Sequence, residues 1–78
     1  MLTHLDRQIL TLEARWWKYA GAKDQAVHAL GLDATSYYVH LGRLLDKPAA
    51  LKHDPMTVLR LRRLREQRAA RRARLRVG

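Results

Sequence analysis

The chain has 78 residues, no cysteine and a formal net charge of +9. That length predicts one small domain, and the missing cysteines exclude a disulfide framework and every thiolate zinc site. The four histidines, His4, His28, His40 and His53, lie 24, 12 and 13 residues apart, which matches no local ligand pair, so no metal and no cofactor are expected.

No signal-peptide core and no apolar stretch of the roughly 20 residues needed for a membrane span is present, so a cytoplasmic protein without a membrane partner is expected. The charge is unevenly spread. Residues 1–55 hold seven Lys or Arg against six Asp or Glu, a net of +1, whereas residues 56–78 hold nine Arg against Glu66, a net of +8. A field of that kind attracts polyanions. All nine cations are Arg, whose planar fork of donors suits phosphate better than a point charge does, and this tilts the expectation toward nucleic acid.

In chain order, Thr3 and Asp6 form a Thr-x-x-acid pattern that caps a first helix. Leu5, Ile9, Leu12 and Trp16 recur at helical spacing, with a second stripe of Leu10, Ala14 and Trp17. This helix is expected to end near Tyr19-Ala20-Gly21, with glycine as the stop and Trp16 in the core. A short second helix is predicted over about 22–30, with Ala26, Val27 and Leu30 inward. After Gly31, Asp33 caps a third helix whose inward residues are Tyr37, Leu41, Leu44 and Leu45. Pro48 opens a single turn to about Lys52. Asp54-Pro55 repeats the cap-plus-proline signal and starts a last helix with a stripe of Val58, Leu61 and Leu64. No strand alternation is visible, so the fold class is all-α.

Residues 26–41 carry the spacing of a helix-turn-helix, placed at about 22–45. Gly31 supplies the positive φ of a tight turn, Leu32 plugs the gap beneath it, and Asp33 satisfies the free amides of the following helix. On a helical wheel, Thr35, Val39 and Gly42 oppose the inward face, flanked by Ser36, Tyr38 and Arg43. That surface suits a major groove: hydroxyls for base edges or phosphates, Val39 for a thymine methyl, Arg43 for phosphate or guanine. Helix-turn-helix spacing also occurs in ordinary three-helix bundles, and the face supplies a single cation. The arginine segment adds what the face lacks.

Arg60, Arg62, Arg63, Arg65, Arg68, Arg71, Arg72, Arg74 and Arg76 read as phosphate contacts. Charge runs are often solvated tails, but eight net positive charges in 23 residues repel one another and call for a counter-ion. The segment lacks the broad apolar face of a membrane-surface helix beyond Leu64. Other constellations carry less. Trp16, Trp17 and Tyr19 suggest a stacking platform for single-stranded bases, although core packing is the commoner use of such residues. Asp24 and His28 at i, i+4 read as a surface pair, and Ser36 near His40 lacks the orienting acid and oxyanion hole of a nucleophilic site. No catalytic residue is expected.

Leu2-Thr3, the block Trp16-Trp17-Lys18-Tyr19-Ala20-Gly21-Ala22-Lys23, the Thr35-Ser36-Tyr37-Tyr38 step, and Asp54-Pro55-Met56 with its arginine-rich sequel together resemble the short actinobacterial proteins grouped as domain of unknown function family 3263. The resemblance implies a helix-turn-helix protein of actinobacteria or their phages and supplies no mechanism. The middle of the chain is also similar, on spacing alone, to the fourth region of sigma factors.

The expectation is therefore a helix-turn-helix domain at 1–64 and a basic arm at 65–78. It would bind double-stranded DNA as a transcription regulator or small chromosome-associated factor in the nucleoid. An accessory factor of RNA polymerase and an RNA or ribosome binder are the alternatives. The Leu10–Ala14–Trp17 stripe is expected to meet Met56 and Leu59 of the last helix, or else to be buried in a homodimer.

Overall fold

The computed structural model describes residues 1–77, and these form five helices: α1 (His4–Ala14), α2 (Ala20–Ala29), α3 (Ala34–Leu45), α4 (Pro48–His53) and α5 (Pro55–Val77). The class is all-α, with no strand among the described residues. Ile9, Leu10, Leu12, Val27, Tyr37, Leu41, Leu44, Leu45, Ala50 and Val58 form one core to which every helix contributes. No helix among the described residues is long and apolar enough to cross a membrane.

Helix α1 begins as its cap predicts. Thr3 Oγ1 accepts from the Asp6 amide at 3.0 Å, and Asp6 Oδ2 accepts from the Thr3 amide at 3.0 Å, a reciprocal capping box. Its end differs from expectation. The helix stops at Ala14, Arg15 is extended, and residues 15–19 cross to α2 as a non-helical strap. Two side chains cap the freed carbonyls. Trp17 Nε1 donates to Leu12 O at 2.9 Å, and Arg60 of α5 donates to Glu13 O at 2.6 Å. Trp16 consequently leaves the α1 face and stands 82 % exposed rather than in the core.

Helix α2 starts at Ala20 and so contains Gly21, which was expected to stop α1. Its apolar side is short: Val27 is buried, and Ala26 and Leu30 pack partly against the core. Gly31 has φ +82°, a backbone conformation that costs an L side chain roughly 1–2 kcal/mol. Leu32 tucks beneath the turn and Asp33 Oδ1 accepts from the Ser36 amide at 2.7 Å, which starts α3. All four residues expected inward on α3 are buried.

Pro48 is the first residue of α4, which runs one residue past the expected turn, and Ala50 is its buried member. Asp54 Oδ1 then accepts from the Thr57 amide at 3.2 Å as α5 begins. The buried stripe of α5 ends a turn sooner than expected. Val58 is fully buried and Leu61 half-buried, but Leu64 is 40 % exposed. Met56 and Leu59 face outward, so they do not cover the stripe on α1; Leu10 enters the common core, Trp17 packs partly against it, and Ala14 is exposed. Helix α5 continues unbroken through residue 64 into the arginine-rich half.

Candidate nucleic-acid interface

Two buried carboxylates on α1 set the geometry of α3. Asp6 and Glu13 lie seven residues apart, on the same stripe as Ile9 and Leu10. Asp6 receives His40 Nε2 at 2.7 Å and Lys47 Nζ at 3.0 Å, besides the Thr3 amide. Burial by itself pushes the Asp6 carboxyl up, but the bonds from His40, the Thr3 amide and Lys47 outweigh it and hold the group well below the usual carboxylate range. Glu13 accepts from the Tyr37 hydroxyl and pairs with Lys23 Nζ of α2 at 3.0 Å. Burial, followed by that carboxylate, drives the Tyr37 phenol far above its ordinary value, so it stays a neutral donor. Each carboxylate ties α1 to α3, one near each end of α1, and every buried side-chain polar atom among the described residues has a partner.

The face of α3 turned from these anchors is open. Thr35, Ser36, Tyr38, Val39 and Arg43 are all exposed, as the helical wheel predicts. Gly42 is half-buried, yet a Cβ added there would meet nothing within 4 Å. The ring of Tyr38 is set edge-to-face against Tyr37, with centroids 5.3 Å apart. His40, set aside from the sequence as a base for Ser36, is bonded through Nε2 to Asp6.

The nine C-terminal arginines divide into two groups. Arg60 donates to Glu13 O, Arg62 to Leu45 O at 2.7 Å, and Arg65 to Gly42 O at 3.4 Å and Asp46 Oδ1 at 2.9 Å. These three cap the carboxyl ends of α1 and α3, where cations complement the helix dipole. Arg63, Arg68, Arg71, Arg72, Arg74 and Arg76 are exposed and bond nothing in the fold among the described residues. The distal half of α5 thus holds five exposed cations, Arg68, Arg71, Arg72, Arg74 and Arg76, without a partner among the described residues.

Between α3, α5 and the 15–19 strap lies an open cleft of about 600 Å³. The buried Leu41 and Leu45 form its base, with Leu61 and Leu64 beside them. Trp16, Trp17 and Tyr38 supply aromatic walls, and Arg15, Arg60, Arg65, Arg68 and Arg72 line its rim. The Arg15 guanidinium sits over the Trp17 ring at 4.5 Å from its centroid. Tyr38 and Gly42 of α3 therefore share one surface with Arg68 and Arg72 of α5.

Sequence reasoning missed the buried roles of Asp6 and Glu13, although their i, i+7 spacing across Ile9 and Leu10 places them on the core stripe. It also missed the cleft, whose walls meet only in the folded chain. Among the described residues no three His, Asp or Glu side chains gather into a metal-binding group.

The family model described as protein of unknown function (DUF3263) matches residues 1–73. No curated protein and no solved structure matches the chain. Since that match spans α1 to α4 and nearly all of α5, the chain belongs to the DUF3263 family of proteins of unknown function.

Proposed function

We propose that the chain binds double-stranded DNA as a transcription regulator or small chromosome-associated factor of the actinobacterial nucleoid. In this reading α2, the Gly31 turn and α3 act as a helix-turn-helix. Thr35, Ser36, Tyr38, Val39 and Arg43 meet the major groove, and the α5 arginines hold phosphates. One observation carries the proposal: six exposed arginines on α5 without partners among the described residues. Residues 1–55 carry a net of only +1, so attraction to a polyanion depends on this helix. The three arginines spent on helix ends leave six for phosphate. At about −0.9 per neutralised phosphate, log affinity should fall with log salt at a slope near −5. Titrating a labelled duplex with the intact protein, at salt from about 50 to about 200 mM, measures that slope. A slope near zero would defeat the proposal.

A further inference from the structure

Trp16 is the largest side chain the fold leaves uncovered, 82 % exposed at the cleft between the strap, α3 and α5. Its neighbour Trp17 is already occupied, with its Nε1 bonded to Leu12 O and Arg15 over its ring. Tyr38, 55 % exposed in the same cleft, is held in a set plane by its edge-to-face contact with Tyr37. Arg68 and Arg72 complete the site one helical turn apart, about 6 Å along the axis, and neither bonds the fold among the described residues.

We propose that this cleft holds an unpaired base of a single-stranded nucleic-acid segment, stacked on Trp16 and Tyr38 with flanking phosphates on Arg68 and Arg72. The proposal rests on the phosphate-binding reading of α5 and adds a second mode of engagement to it. Aromatic faces set in a basic groove are how single strands are held without sequence preference. The opposing occupant, an acidic amphipathic helix, fits less well. Such a helix needs a row of exposed aliphatic residues, but Leu41 and Leu45 are already buried and Leu64 alone of the four leucines is open. What the cleft still offers is aromatic surface and arginine. The site would favour melted or tailed DNA over a blunt duplex.

The test measures anisotropy with three labelled probes: a thymidine strand of about 12 nucleotides, an abasic strand with the same number of phosphates, and a blunt duplex. The intact protein should bind the thymidine strand about tenfold more tightly than the abasic strand. Indole emission should be quenched by the former alone. Trp16→Ala should remove most of the preference for the thymidine strand over the abasic one, Tyr38 keeping the remainder, and leave abasic and duplex binding unchanged. Trp16→Phe, which keeps a π-face, should retain most of the preference. Equal affinity for the two strands, unaltered in Trp16→Ala, would overturn the stacking site while leaving the phosphate helix standing, and would return the cleft to a protein partner. Failure to bind all three probes would overturn the DNA-binding reading, and the stacking site with it.

Discussion

Ending the chain after Arg65 separates phosphate binding from folding. This cut keeps Arg60, Arg62 and Arg65, which cap α1 and α3, and removes Arg68, Arg71, Arg72, Arg74 and Arg76. Of the six arginines without a partner among the described residues, Arg63 then remains. Six neutralised phosphates give a salt slope of about −5, and one gives about −1. Between about 50 and 200 mM salt the intact protein should lose affinity on the order of a thousandfold, and the truncated one about threefold. Residues 66–76 are all exposed, so their loss should leave stability within about 0.5 kcal/mol. The helical signal should still drop, because roughly half of α5 is removed. Anisotropy of a labelled duplex across a salt series, with melting followed by circular dichroism, reads both effects. A truncated protein that binds as tightly as the intact one with the same slope would refute the assignment of phosphate contacts to distal α5.

Three further outcomes follow from the same structure. Substituting Thr35, Val39 or Arg43 should cost about 1–3 kcal/mol on preferred duplex sites and less on random DNA; equal losses on both would show that α3 does not read bases. Gly42→Ala should stabilise α3 by about 1 kcal/mol, because the added Cβ meets open space and alanine is the better helix former. A melting midpoint that falls instead would contradict that geometry. Asp6→Asn should cost about 2–3 kcal/mol by weakening the bonds to His40 and Lys47. The folded Asp6 carboxyl lies below its ordinary value, so its contribution is fully present above about pH 4 and is lost as the pH falls from there toward the depressed value. The wild-type melting midpoint should therefore drop more steeply than that of Asp6→Asn between about pH 5 and pH 3, and parallel curves would exclude Asp6 as the group responsible.

Local chemistry determined much of this protein from sequence alone. The Thr3–Asp6 capping box, the Asp33 cap, the positive φ at Gly31 and the proline starts of α4 and α5 all act between residues a few positions apart. The all-α class and the inward face of α3 follow from periodicity, which is also local. The open face of α3 was legible for the same reason. Tertiary structure alone decided the rest. Helix α1 could have continued through the tryptophans on its apolar spacing, yet it ends at Ala14, where Arg60, 47 residues away, caps the Glu13 carbonyl. Asp6 and Glu13 are buried because His40, Lys47, Tyr37 and Lys23 arrive from other segments to satisfy them. The arginine run looks uniform in sequence, but the three members that fall beside the ends of α1 and α3 are drawn into the fold. Which arginines remain for a partner depends on where α5 lies against the bundle, since a guanidinium bonds whichever carbonyl or carboxylate packing brings within reach.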